Sequence, residues 1–109
     1  MDKLIQNTLL YDFYGELLTP KQRDIYNMHF CEDMSMAEIG DKLGITRQAV
    51  NCSLKEAQKL LEFYNGVLRL IENHASLAAF AADLRHALDN KDFALGKRVL
   101  AELEESHGL

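Results

Sequence analysis

The chain contains no tryptophan, a single proline and two cysteines among its 109 residues. Cys31 and Cys52 are too few for the disulfide framework of a small secreted domain, and a reducing compartment would keep them as thiols. A structural zinc site takes about four ligands, and only His29 lies near Cys31, so no metal or other cofactor is predicted. The histidines also lack the neighbouring nucleophile and acid of an acyl-transfer triad, and we expect no enzyme.

Long apolar runs are absent as well. No stretch of the sequence approaches the roughly 20 apolar residues that a membrane-spanning helix requires. The first residues, MDKLIQNTLLYDFYG, are interrupted by polar side chains and lack the small-residue cleavage site of a secretory signal. We therefore expect a cytoplasmic protein with no membrane partner.

Alternating strand patterns are missing, whereas apolar residues recur at spacings of three and four along most of the chain. An apolar content of 48% over 109 residues fits one packed core. The sequence predicts an all-α protein with a single domain over residues 1–109. A helix-turn-helix core is expected at 18–64 and a helical tail at 65–109.

Two helices are predicted before the helix-turn-helix. The first covers residues 3–17, where apolar side chains form a broad face. Thr19 then offers a helix cap, and Pro20 suits the first helical position because the missing N–H costs nothing there. The second helix is predicted from Pro20 to Phe30.

A short helix, a tight glycine turn and a longer helix come next. Ser35 and Glu38 form a capping box that begins the short helix, and Gly44 supplies the left-handed geometry that ends it. Thr46 is the cap of the longer helix. Ala37 is the small residue at which we expect the two helices to approach closely. These features predict a helix-turn-helix, whose second helix can enter a major groove.

The fourth helix begins at Arg47 and is predicted to run to about residue 71. Asn65-Gly66 could break it, because glycine costs about 1 kcal/mol against alanine inside a helix, but we favour a continuous helix. Helices at 77–88 and 92–105 then form a C-terminal hairpin. This hairpin either mates with a partner or covers the first four helices, and an amphipathic face alone does not choose between the two.

Polar side chains on the first turns of the fourth helix are the candidate nucleic-acid contacts. They are predicted to project away from its apolar side and comprise Thr46, Arg47, Gln48, Asn51 and Lys55. Arginine pairs with guanine, and glutamine or asparagine pairs with adenine, through matched donor and acceptor edges, while the hydroxyl of a capping threonine suits phosphate. The alternative is that these residues form an ordinary solvated helix face.

Charge is distributed unevenly around a net value of −5. Residues 1–41 carry three bases and eight acids, 42–62 carry four bases and two acids, and 63–109 carry five bases and seven acids. Only the middle segment, which contains the candidate contacts, is net positive. Acidic surroundings would limit indiscriminate phosphate binding, and a charge this small predicts modest affinity for one copy. A dimer or an additional partner is therefore implied.

The segment LTPKQRDIYNMHFCEDMSMAEIGDKLGITRQAVNCSLKEAQKLLEFY, residues 18–64, resembles the promoter-reading carboxy-terminal domain of bacterial sigma factors. Across almost the whole chain, including LYDFYGELLTPKQ and TRQAV, the sequence more closely resembles the YlxM family of helix-turn-helix proteins. That resemblance implies a link to the signal recognition particle pathway, because the family's gene accompanies those of the targeting GTPases. The sigma pattern implies that Arg47 and Gln48 approach bases or phosphates, whereas Ala49 and Cys52 depart from it.

These observations predict a regulatory nucleic-acid-binding protein of the signal recognition particle pathway, with duplex DNA or the particle's RNA as partner. The alternative is an accessory protein that binds the particle's RNA or its GTPase without reading DNA, and a third possibility is a structural interaction module. Abundant apolar helical surface also predicts a homodimer. The aromatic residues considered for its interface, each of which could instead be core, are Phe13, Tyr14, Phe63, Tyr64 and Phe80.

Overall fold

A computed structural model describes residues 2–109, which form six α-helices, one short 3-10 helix and no strand. The helices are α1 (Lys3–Tyr14), α2 (Pro20–Phe30), α3 (Met36–Leu43), α4 (Arg47–Leu68), α5 (Leu70–Asp89) and α6 (Phe93–Ser106). The prediction of an all-α fold is confirmed. The chain divides into two compact units, the first ending at Arg69 and the second beginning at Leu70. The assignment of residues 1–109 to a single domain stays a prediction.

Helix ends in the first unit follow the capping residues. Thr19 Oγ1 accepts a hydrogen bond from the Gln22 backbone N–H at 3.2 Å, and Gln22 Oε1 accepts one from the Thr19 N–H at 3.1 Å. Ser35 and Glu38 make the same reciprocal pair at the start of α3, at 3.1 and 3.2 Å. Both helices therefore begin at residues whose side chains satisfy backbone donors that the helix itself leaves free.

The turn between α3 and α4 depends on two glycines. Gly44 ends α3 with φ at 69°, a left-handed conformation that glycine adopts without steric cost. Gly40 is buried, and a Cβ at this position would lie 2.7 Å from the Ile45 carbonyl oxygen and 3.4 Å from the Arg47 nitrogen. Ala37 is exposed, so the prediction that it marks the close approach is wrong. Gly40 does so, because it lies on the side of α3 that faces the turn.

Helix α4 continues through Asn65 and Gly66 for 22 residues, as favoured from the sequence. It ends at Leu68 rather than near residue 71, because Arg69 adopts left-handed backbone angles with φ at 53°. Helix α5 then starts at Leu70, seven residues earlier than the predicted 77. Residues 70–76 contain no proline or glycine, so no backbone feature prevents them from being helical.

The core of the first unit forms where α1, α2 and α3 each pack against α4. Its buried apolar residues come from every helix of the unit and from the segment before α2: Leu10, Tyr14, Leu18, Ile25, Tyr26, Ile39, Val50, Leu54, Ala57 and Leu61. The α-helical part of the first helix stops at Tyr14, and Gly15–Leu17 tightens into the 3-10 helix. Tyr14 Oη donates a 2.7 Å hydrogen bond to Asn65 Oδ1, which ties the end of α1 to the distal part of α4.

The second unit is a hairpin of α5 and α6, joined by the short segment 90–92. Asp92 caps α6 by accepting a 3.0 Å hydrogen bond from the Leu95 N–H. Ala87 and Val99 are its buried apolar residues, and a Cβ on Gly96 would meet the Ala87 Cβ at 3.8 Å, so the helices pack through small side chains. Within residues 2–109, no helix is both long and apolar enough to cross a bilayer.

Gly40→Ala tests the tight turn. The added methyl group would overlap the Ile45 carbonyl oxygen, which is backbone and cannot rotate away, so we expect the free energy of unfolding to fall by about 1–3 kcal/mol. Gly66→Ala is the matched control, because that position in α4 has no heavy atom within 4 Å of an added Cβ. It should raise stability by about 0.5–1 kcal/mol. Urea denaturation measures both, and stabilisation by Gly40→Ala would contradict the packing described.

Candidate nucleic-acid interface

Burial of one side of α4 determines which of its residues reach solvent. Val50 and Leu54 are buried, and this orientation leaves Arg47, Gln48 and Lys55 exposed. Thr46 is also exposed, and its Oγ1 accepts a 3.0 Å hydrogen bond from the Ala49 N–H as the cap of α4. Asn51, the fifth predicted contact, is half-buried.

Three of the predicted contacts lie together at the start of α4. Arg47, Gln48 and Asn51 line a surface depression of about 450 Å³ with Met36 from the first turn of α3. The depression therefore crosses the helix-turn-helix, with a guanidinium and two amide side chains around one thioether. No carboxylate is among the described residues that line it. Such a surface offers hydrogen-bond donors, acceptors and one positive charge to a ligand.

A second, smaller concavity, which we call the α1–α4 groove, lies beside the first. It has a volume of about 190 Å³ and is lined by Lys3, Asn7, His29, Phe30, Met36, Asn51, Leu54, Lys55 and Gln58. Met36 and Asn51 line both concavities, so the groove continues the surface formed by Arg47 and Gln48. The groove brings Lys55 into one site with Lys3, a residue from the opposite end of the first unit's sequence.

Hydrogen bonds between α1, α2 and α4, two of them part-buried, hold the groove's shape. Gln58 Nε2 donates to Asn7 Oδ1 at 2.8 Å, and Gln58 Oε1 accepts from Tyr26 Oη at 3.0 Å. Gln58 Nε2 also donates to Glu62 Oε1 at 3.0 Å. Burial, with a smaller contribution from the nearby Cys31, raises the pKa of Tyr26 to about 12. The Tyr26 hydroxyl therefore remains a hydrogen-bond donor at neutral pH.

Aromatic stacking supports the same junction. The Tyr11 and Tyr26 rings are stacked at a centroid distance of 5.0 Å with an angle of 9° between their planes. The Phe30 ring lies 4.5 Å from that of Tyr26 and continues the row towards the groove. Burial is also the main cause of a raised pKa for Tyr11. These contacts join α1 to α2 through Tyr11 and Tyr26 and place the Phe30 ring against Tyr26.

His29 has a structural hydrogen bond. Its Nδ1 lies 2.9 Å from the Met34 carbonyl oxygen, and because a carbonyl can only accept, Nδ1 carries the proton. The ring thereby holds the loop that leads into α3. Among residues 2–109, no group of three or more histidine, cysteine, aspartate or glutamate side chains is arranged to hold a metal ion.

Sequence reasoning missed part of this surface. Lys3, His29, Phe30, Met36 and Gln58 were not predicted as site residues, although all of them line the α1–α4 groove. A lysine two residues from the start of the chain carries no local signal that it will lie beside the third turn of α4. The five residues predicted from the sequence stay predicted contacts, four of which line the two concavities.

Comparisons with known proteins agree on one family. The family model described as "Putative helix-turn-helix protein, YlxM / p13 like" matches residues 1–99. A UPF0122 protein of Caldanaerobacter subterraneus subsp. tengcongensis is 47% identical over 76 residues, which are 70% of this chain and 65% of that protein's length. A UPF0122 protein of Symbiobacterium thermophilum is 37% identical over 95 residues, covering 87% of this chain and 89% of the relative. One of Halalkalibacterium halodurans is 32% identical over 104 residues, covering 95% and 94%.

Tyr26→Phe tests the buried network beneath the groove. The variant leaves Gln58 Oε1 without its donor, so at neutral pH it should lose about 1–3 kcal/mol of stability. In the wild type, the tyrosine pKa is raised from 10.0 to about 12 on folding, so this stabilisation is complete below pH 10 and is lost as the pH rises through 12.

Urea denaturation at neutral pH and along an alkaline titration measures both effects. The difference between wild type and Tyr26→Phe should shrink as the pH rises from 10 to 12. Tyr64→Phe, on a half-buried tyrosine of α4, is the control for loss of a hydroxyl group. A difference that stays constant over that range would contradict the assigned role of Tyr26.

Proposed function

This chain belongs to the YlxM/p13-like family of helix-turn-helix proteins, and from that membership we propose that it is a non-enzymatic regulatory protein that binds nucleic acid within the signal recognition particle pathway. One observation carries the nucleic-acid part of the proposal: Arg47, Gln48 and Asn51 line one depression at the capped start of α4. The assignment to the signal recognition particle pathway rests on the family resemblance. Its partners are duplex DNA or the particle's RNA.

The roles of the contact residues follow from their chemistry. Arg47 and Gln48 are exposed on the first turn of α4, where a helix-turn-helix brings side chains to base edges. Lys55 lies two turns further along and contacts phosphate as a point charge. The Thr46 hydroxyl is already engaged by the Ala49 N–H, so it contributes mainly by fixing the start of α4.

The alternative partner is also supported by a particular feature. Helix α1 borders the third turn of α4, because Lys3 and Asn7 share a groove with Lys55. A folded RNA, whose grooves and loops present varied shapes, suits this surface as well, and the accessory role at the particle's RNA or GTPase is the second candidate function.

The charge distribution favours a selective contact of moderate strength. The segment 42–62 carries a surplus of two positive charges within a chain of net charge −5. Each neutralised phosphate contributes to affinity through released counterions, so a small surplus supports few such contacts. Acidic surroundings oppose unselective binding along any polyanion.

Arg47→Ala combined with Lys55→Ala tests the contact helix. We expect weaker binding to a short DNA duplex or RNA hairpin, and a salt dependence flattened by about one unit of slope for each lost phosphate contact. Gln48→Ala should change sequence preference more than the salt slope.

The matched control removes an exposed lysine and arginine from α6, as Lys97→Ala with Arg98→Ala. Anisotropy titrations of labelled nucleic acid at several salt concentrations give the affinities, and circular dichroism checks that helix content is unchanged. If the control weakens binding as much as the Arg47 and Lys55 changes, then α4 is not the contact helix.

We also infer that the protein forms a homodimer. Of the five aromatic residues considered from the sequence, Tyr14 is buried in the first unit's core, while Phe63 is 63% exposed. Val67, one turn further along α4, is 65% exposed and extends the same apolar surface. A two-fold pair would cover this surface and present two copies of Arg47, which offsets the small charge of each copy.

Sedimentation equilibrium at micromolar concentration tests the dimer, and we expect twice the chain mass. Phe63→Glu with Val67→Glu should yield a monomer, because two carboxylates per chain would have to be desolvated in the interface. Leu17→Glu, at another exposed apolar position, is the control and should leave the mass unchanged. A strictly monomeric wild type rules out the homodimer.

A further inference from the structure

The α1–α4 groove has the chemistry of a base-binding pocket. Phe30 lines the groove and is 39% exposed, and its ring lies 4.5 Å from the Tyr26 ring and 4.8 Å from the His29 ring. Met36 and Leu54 add further apolar lining. A planar ring that enters the groove would therefore meet an aromatic side chain whose position is held by two neighbouring rings. Unpaired bases stack on aromatic side chains of this kind.

Two asparagine side chains at the groove have polar atoms that are not engaged in hydrogen bonds with other described residues. The Asn51 side chain is half-buried and makes no hydrogen bond with the part of the chain that the structure describes. Asn7 is buried and accepts through Oδ1 from Gln58, while its Nδ2 donates to no residue in the range 2–109. Among the described residues no side-chain polar atom is both buried and unpaired, so these two amide groups reach solvent and can pair with a ligand. An amide that offers both a donor and an acceptor matches the edge of a base.

The groove is also lined by positive charge, which is complementary to phosphate. Lys3 from α1 and Lys55 from α4 both line it, and both are exposed. No aspartate or glutamate is among the described lining residues. Two ammonium groups beside an apolar pocket suit the phosphates on either side of a nucleotide whose base is inserted between them.

The size of the groove limits what fits. Its volume of about 190 Å³ is below the range of roughly 300–1,000 Å³ typical of sites that enclose drug-sized ligands. A single ring system can enter, whereas a whole dinucleotide cofactor cannot. The groove also adjoins the depression lined by Arg47 and Gln48, so one strand can contact both.

We propose that the α1–α4 groove binds one unstacked base of a bulged or looped RNA, with the base on Phe30, its edge on Asn51 and Asn7, and its flanking phosphates on Lys3 and Lys55. This inference rests on the proposed nucleic-acid function and makes its target specific. A paired duplex keeps its bases stacked and supplies none to the groove, whereas folded RNA displays unpaired bases in bulges and loops.

The probes are a short RNA hairpin with one bulged adenosine, the same hairpin fully paired, and the bulged hairpin made of DNA. Wild-type protein should bind the bulged RNA at least about five-fold more tightly than the paired RNA, which corresponds to the lower end of measured base–aromatic stacking. Equal affinities for bulged and paired RNA overturn the proposal. A bulged DNA bound as tightly as the bulged RNA overturns the assignment to RNA.

Variants of groove residues test whether the preference for the bulged RNA arises in the groove. Phe30→Leu keeps an apolar side chain but removes the stacking ring, and it should abolish the preference for the bulge, measured as the ratio of the affinities for the bulged and the paired hairpin. Asn51→Ala should reduce the preference as well, and Lys3→Ala should weaken binding of the bulged RNA. Phe93→Leu and Lys21→Ala, at exposed positions outside the groove, are the matched controls. Circular dichroism melts establish that each variant is folded.

Failure of this inference is distinguishable from failure of the proposed function. Arg47 lies outside the groove, so Arg47→Ala should weaken binding to the bulged and paired hairpins by a similar factor. If Arg47→Ala has that effect while folded Phe30→Leu and Lys3→Ala retain the full preference for the bulge, the base pocket is wrong and nucleic-acid binding stands. If the wild type binds neither the two RNA hairpins nor the DNA hairpin, both are wrong.

Discussion

The apolar stripe along α4 is the constraint on which the first unit depends. Four of its residues recur at spacings of three and four and are buried against α1, α2 and α3: Val50, Leu54, Ala57 and Leu61. Because these residues occupy one side of a 22-residue helix, the opposite side of its first turns remains in solvent. The burial that stabilises the fold thus also exposes Arg47 and Gln48 beside the capped end of the helix.

Polar groups inside the first unit add specificity to this apolar packing. Tyr26, Gln58 and Asn7 join three helices through hydrogen bonds of 2.8 and 3.0 Å, and each would be costly to leave unpaired in a buried position. The bonds specify one position of α1 along α4. The same contacts place Lys3 near Lys55, so a network that serves stability also determines the composition of the α1–α4 groove.

The segment with the proposed nucleic-acid contacts, residues 42–62, carries a surplus of only two positive charges. A surplus this small limits the electrostatic part of affinity, so the proposed binding would depend more on hydrogen bonds, stacking and repeated copies of the site. The depression with Arg47 and the adjoining groove have the chemistry for the first two, and the proposed homodimer would supply the third. Such a combination would suit the proposed selection of one nucleic-acid structure among many polyanions.

Features that depend on neighbouring residues were predictable from the sequence. The Thr19, Ser35 and Thr46 caps and the Gly44 turn were predictable because each depends on hydrogen bonds or backbone angles within a few residues. Other features depend on how the helices pack. Gly40 rather than Ala37 makes the close approach because the turn folds back onto that side of α3. Lys3, Phe30 and Lys55 meet because packing of α1 and α2 on α4 joins residues far apart in the chain, and no local pattern encodes such a distance.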